Sequence, residues 1–185
     1  MKKKTLILAV TIFFTGMLSA KSMYVQPNFG VGFSYNRYNA VGVSGGMDMV
    51  WKVWEHDKKA AGTIYVGGST GLRYWFPTSS QWTYTTHHVF TIPALAYGSY
   101  EFKVNAGPLS HVGPFFSPGV SFNISHRRAD SATNTYFSVR FNPSFGGILV
   151  FNSNWILKQT FSWGVNPYGL SGTAGGFIIE AGYRF

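Results

Sequence analysis

The sequence predicts an all-β chain of about eight antiparallel strands closed into a barrel. Three observations carry that prediction. Apolar and polar residues alternate with a period of two along most of the chain after residue 20. The polar positions hold mainly Gly, Ser, Asn and Thr instead of charges. Aromatic residues reach 18 % of the chain while Asp, Glu, Lys and Arg together reach 11 %, well below the ~25 % charge of a soluble domain. Strands that meet hydrocarbon on one face and a crowded interior on the other need that mixture.

The first twenty residues read apart from the rest. Lys2, Lys3 and Lys4 precede an apolar run from Thr5 to Met17, and Leu18-Ser19-Ala20 offers small residues to a signal peptidase. The run falls short of the roughly 20 apolar residues of a spanning helix, and Lys21 follows at once. We expect a cleaved secretory signal at 1–20 and one domain at 21–185. The chain has no Cys, which excludes a lipid-bearing Cys and any disulfide. Three of its 15 Lys and Arg lie in the signal, leaving 12 against 6 Asp and Glu and a net charge of +6. These charges are scattered and form no basic stripe for nucleic acid.

Segment one, about Tyr24 to Arg37, sets Val25, Phe29, Val31, Phe33 and Tyr35 against Gln26, Asn28, Gly30, Gly32, Ser34 and Asn36. Segment two, about Val41 to Trp54, sets Val43, Met47, Met49, Trp51 and Val53 against small residues, Asp48 and Lys52. Charged Glu55 to Ala61 marks a turn. Segment three, about Gly62 to Phe76, pairs an apolar face of Ile64, Val66, Leu72, Tyr74 and Phe76 with Arg73 behind it. Pro77 to His87 reads as a polar loop. Segment four, about His88 to Phe102, is blurred by Leu95 and Tyr97, and Pro93 suggests a bulge. Lys103 to His111 reads as a turn.

Segment five, about Val112 to Ser125, carries Phe116, Val120, Phe122 and Ile124 on one face; His126 to Asn134 reads as a loop. Segment six, about Thr135 to Leu149, carries Phe137, Val139, Phe141 and Phe145, and Asn152-Ser153-Asn154 is a tight turn. Segment seven, about Trp155 to Asn166, sets Trp155, Leu157, Phe161, Trp163 and Val165 against Lys158, Thr160, Ser162 and Gly164. After a Gly-rich loop, segment eight, about Gly176 to Phe185, sets Phe177, Ile179, Ala181, Tyr183 and Phe185 against Glu180, Gly182 and Arg184.

Segments of roughly 10–15 residues suit tilted strands that need about 9–11 to cross a bilayer. Only a closed barrel then pairs every backbone N–H and C=O in lipid. A secreted β-sandwich also alternates, but its second face would be charged, and here that face is small and polar. Tyr24, Tyr35, Trp51, Trp54, Tyr74, Trp75, Trp82, Tyr100, Tyr136, Trp155 and Trp163 fall near segment ends, as interfacial girdles would place them.

The last segment, FIIEAGYRF, carries Phe177, Ile179, Ala181, Tyr183 and a terminal Phe185. It resembles the C-terminal strand of bacterial outer-membrane proteins, and Gly-Tyr-Arg-Phe is similar to the ending of small eight-stranded barrels of the OmpX/Ail, OmpA and OmpW kind. That resemblance implies outer-membrane location and reading of this strand by the barrel-assembly machinery. It implies a monomer surrounded by outer-membrane lipids and lipopolysaccharide.

Eight charged residues fall on the inward face: Asp48, Lys52, Arg73, Glu101, Arg140, Lys158, Glu180 and Arg184. Buried charge is costly unless paired, and an eight-stranded interior is just wide enough for side chains to fill. We expect an ion-paired core; the alternative is a narrow path for small solutes or ions, favouring anions, or for hydrophobic molecules, as the resemblance to OmpW-like barrels implies. The histidines show no metal-ligand spacing, since His87 and His88 point to opposite faces of a strand. No cofactor or metal is expected. The sole local Ser/His/Asp set is His126, Asp130 and Ser131; lipid A deacylases of this fold carry a His-x-Ser pair, whereas here Ser125 directly precedes His126. No enzyme is expected, with lipid A modification kept as a second alternative. The basic cluster His126, Arg127 and Arg128 suits lipopolysaccharide phosphates or anionic host surface molecules. The expected role is therefore structural or adhesive, exerted through the outer loops.

Overall fold

The computed structural model describes residues 22–35, 40–56, 62–77, 85–129, 132–164 and 174–185. The expected signal, Trp82, Asp130, Ser131 and the side chains of Tyr35, His87 and Arg127 lie outside them. Ten segments are present: β1 (Ser22–Tyr35), β2 (Ala40–Glu55), β3 (Gly62–Pro77), β4 (Thr85–Ala106), β5 (Leu109–Ser117), β6 (Gly119–Ala129), β7 (Ala132–Phe141), β8 (Ser144–Phe151), β9 (Trp155–Gly164) and β10 (Ala174–Tyr183). Neighbours pair antiparallel. Strand β1 meets β10 and β3 meets β4, so the sheet closes on itself.

Ten segments make eight barrel strands. One register runs along β4 against both β5 and β6, which are a single strand interrupted at Pro118. Strands β7 and β8 are likewise one strand, interrupted at Asn142-Pro143. The interruptions lie side by side, because proline brings no N–H to a ladder. Three bonds still stitch the wall there: Ala96 N to Pro118 O, Asn142 N to Gly119 O, and Trp163 N to Pro143 O, each at 2.9 Å.

One end of the barrel gathers the two termini and short turns, and is called the terminal end. Gly107 (φ 60°) and Asn154 (φ 63°) supply the left-handed residues there. At the opposite, far end, β4, β6 and β7 run on, so β4 spans 22 residues. The chain between Lys103 and His111 is accordingly mostly strand, with only Gly107-Pro108 turning. The stretch from His126 is not a loop either. Strand β6 continues to Ala129 and β7 resumes at Ala132.

Pro93 makes no bulge. Its strand holds one register against β3 and β6; the β3 ladder merely lapses opposite Gly71 and Leu72. Register shifts lie instead between Lys52 and Trp54, between Lys103 and Ala106, and between Leu109 and His111. Leu95 and Tyr97 blurred the fourth segment because both point inward and are buried. The outward face is apolar throughout the middle of the barrel, with Phe29, Val31, Ile92, Phe122, Phe137 and Phe145 all exposed, Phe137 to 66 %. Hydrophobic side chains left this open in a closed sheet make an apolar belt.

Three girdle assignments are corrected. Tyr24 turns inward and packs against the buried cluster. Trp75 also turns inward, where a Cβ at Gly42 would collide with its ring; the missing side chain at residue 42 makes room for the indole. Tyr136, though exposed, is the cross-strand partner of Ser125 and lies on the face opposite Phe137; Trp51, Trp54, Tyr74, Tyr100, Trp155 and Trp163 are at least partly exposed on the outward face. The interior also holds an apolar cluster of Val50, Tyr65, Tyr97, Phe115, Ile148, Val150 and Ile156.

Candidate functional site

The lumen gathers most of the inward charges. Asp48, Glu101 and Glu180 are buried together with Arg73, Lys158 and Arg184, three acids against three bases. Exposure is 0 % at both Asp48 and Glu101. Such burial is tolerable because acids balance bases, five of the six in direct ion pairs. Lys52 sits nearer the terminal rim and pairs with Glu55 at 2.9 Å. Arg140 is half-buried, and its Nε lacks a partner among the described residues.

Two clusters bind the wall across the lumen. In the first, Lys158 on β9 donates to Asp48 Oδ2 on β2 at 2.5 Å and lies 3.4 Å from Glu180 Oε2 on β10. Glu180 is also the direct cross-strand partner of Lys158 and accepts from Ser44 Oγ at 3.2 Å. Gly30 is small because a Cβ there would strike the Glu180 side chain and its backbone. Arg73 lies within electrostatic reach of Glu180 and Asp48.

In the second cluster, Arg184 just beyond β10 grips Glu101 on β4 in bidentate fashion, Nη1 to Oε2 at 2.9 Å and Nη2 to Oε1 at 2.8 Å. The Gln26 amide, with its oxygen turned to the guanidinium, accepts from Nε at 2.7 Å and Nη2 at 3.0 Å. Ser99 donates to Glu101 at 3.2 Å. The guanidinium also lies over Tyr65, 4.7 Å from the ring centre, and near Tyr24 at 5.8 Å.

At the far rim the outward face changes character within one cross-strand step. Phe90, Ile124 and Phe137 are register partners on β4, β6 and β7. The next row outward is His88, His126 and Thr135, again direct partners. His126 Nδ1 lies 3.2 Å from Thr135 Oγ1, and His88 Nδ1 lies 2.5 Å from the Tyr74 hydroxyl. Arg128 is exposed one step further along β6. Ser125 and His126 project to opposite faces of β6, as strand neighbours must. Across β10, Phe177, Ile179, Ala181 and Tyr183 share the outward face, followed by Phe185.

No protein-family model and no curated protein matches the chain by sequence. Solved structures match its shape. The chain is similar to the N-terminal β-barrel domain of Pseudomonas aeruginosa OprF, with TM-score 0.58 and 11 % identity over 90 % of this chain and 99 % of that one. It is similar to Ail, the attachment invasion locus protein of Yersinia pestis, with TM-score 0.53 and 13 % identity over 88 % and 98 % of the two chains. The fold is that of the small eight-stranded outer-membrane barrels. The outer membrane enzyme PagL is a further match at TM-score 0.51 and 14 % identity, over 85 % of this chain and 99 % of that one. At such identities the likeness of this barrel to all three is one of fold, which hosts different functions.

Proposed function

We propose that the protein is an integral outer-membrane barrel with a plugged lumen. It has a structural role in the outer leaflet and a surface-interaction role at its far end, which faces outside. Residues 1–20 direct export, and the assembly machinery reads the outward row of the last strand. The observation that carries this reading is the pairing of an apolar exterior with a lumen of three acids and three bases. Hydrocarbon satisfies the first, and cross-lumen ion pairs neutralise the second.

Outer-membrane fractionation followed by gels of boiled and unboiled protein tests the membrane reading. The folded protein is expected in the membrane fraction with heat-modifiable migration; stable folded protein in plain buffer would overturn it. Planar-bilayer recordings test the plug. No steady conductance is expected, and anion-selective single-channel steps would establish a solute path instead.

His88 and His126, with Arg128 one step further along β6, support a lipid-facing reading of the basic cluster. Its imidazoles and guanidinium emerge sideways just above the last apolar row, at the height of headgroup phosphates. A His126→Ala/Arg128→Ala variant is expected to bind lipopolysaccharide-bearing vesicles several-fold more weakly at low salt. The difference should vanish with dephosphorylated lipopolysaccharide. Equal binding by both proteins would return the cluster to simple solvation.

A further inference from the structure

The apolar belt has one flaw. Apart from Trp and Tyr of the girdles, the polar side chains on the outward face between the rims are Thr70 and Gln159, among the described residues. Thr70 is satisfied within its own wall, donating from Oγ1 to Pro93 O at 2.9 Å. The Gln159 amide is exposed and has no hydrogen-bond partner among the described residues.

Its depth makes that arrangement costly. Trp155 and Trp163, 54 % and 56 % exposed, flank it four residues away on either side of β9. Gln159 therefore sits midway between the girdles, where acyl chains have neither donor nor acceptor. Its cross-strand row runs Val31, Ile179, Gln159, Gly147, Pro114. Gly147 is exposed, and a Cβ there would meet nothing within 4 Å. Phe145 and Phe161, stacked 5.7 Å apart, rise on one side, and the cross-strand pair Leu149 and Leu157 on the other. The surface is thus a shallow apolar notch with an unsatisfied amide on its edge.

We infer that this face of β5, β8 and β9 docks a second copy of the same chain through Gln159. A carboxamide both donates and accepts, so two such groups facing across a two-fold axis satisfy each other with two reciprocal bonds. No lipid offers this chemistry at mid-depth, and a second copy carries the matching group at the same height by construction. Gly147 and Pro114 let the walls approach closely, as small interfacial residues do in membranes. The inference rests on the membrane reading above and replaces the monomer expected from the sequence.

Full-length protein, folded into phosphatidylcholine vesicles and labelled with donor and acceptor dyes, reads association by energy transfer as lipid dilutes it. Gel migration of the same samples reports insertion separately. The wild type is expected to dimerise, and Gln159→Leu to weaken the dimer about tenfold while remaining folded. Because the chain has no Cys, single variants probe proximity cleanly. Gln159→Cys should cross-link to a dimer on oxidation, and Val31→Cys, two strands away in the same row, should not. An inserted wild type that stays monomeric, or a Gln159→Leu dimer of unchanged strength, overturns the inference. Failure to insert at all removes the membrane reading with it.

Discussion

The two charge clusters inside the barrel solve the same problem differently. Around Arg184 the matching is close: the guanidinium fork fits the Glu101 carboxylate, Gln26 takes two further N–H groups, and Tyr65 covers the flat face. Around Lys158 one ammonium serves two acids, and matching is incomplete. Asp48 Oδ1, Tyr97 Oη, Ser144 Oγ and Thr160 Oγ1 are buried without a partner among the described residues. A planar fork satisfies a carboxylate by geometry, whereas a point charge works by position and leaves atoms over. The first cluster is a closed clamp. The second is a charge balance with slack around it.

Substitutions can break that contrast. Lys158→Met should do most harm, because it removes the direct partner of both Asp48 and Glu180 and leaves them only the more distant Arg73; a loss of about 3–5 kcal/mol is expected in urea unfolding from detergent micelles or vesicles. Arg184→Met strands Glu101 alone and should cost about 3 kcal/mol by the same measurement. Adding Glu101→Leu to Arg184→Met should recover most of that loss, since removing both charges leaves nothing to neutralise. A double variant as unstable as Arg184→Met would show that the clamp contributes packing instead of charge matching. Thr160→Val tests the slack and has the smallest effect. Removing an unpartnered hydroxyl should be neutral or stabilise by up to about 1 kcal/mol, and a clear loss would mean that the hydroxyl holds water.

The outward half of this fold was legible because a continuous apolar belt imposes one rule on every strand. Phe116, Phe122, Phe145, Phe161 and Ile179 all obey it. The inward half obeys a local rule. Each interior side chain must fit those across the lumen, so Tyr97, Phe115 and Ile148 face inward beside Ser99 and Lys158. Alternation alone cannot tell such residues from outward ones, which is how Tyr24 and Trp75 came to be assigned to the girdles. The His126 segment misled for another reason. A strand that runs past the apolar belt and the lumen is polar on both faces and loses the period-two signal, so it reads as a loop. Inward placement of Asp48, Lys158, Glu180 and Arg184 follows from their parity in the sequence. Which acid meets which base does not, because Asp48 and Lys158 are 110 residues apart and the bond crosses the lumen. Gln159 escaped notice because a reading that counts apolar members passes over the polar residue among them.

The opposed interruptions at Pro118 and Asn142-Pro143 divide the molecule mechanically. Below them the wall is tied through the lumen by ions; beyond them β6 and β7 form a hairpin that carries His126 and Arg128. Two missing amide donors on adjacent strands make this the most compliant line across that wall. Neither Lys158 nor Arg184 bonds to the hairpin beyond this line. The outer tip can therefore be rewritten, lengthened or exchanged while the electrostatic keel beneath it stays in place.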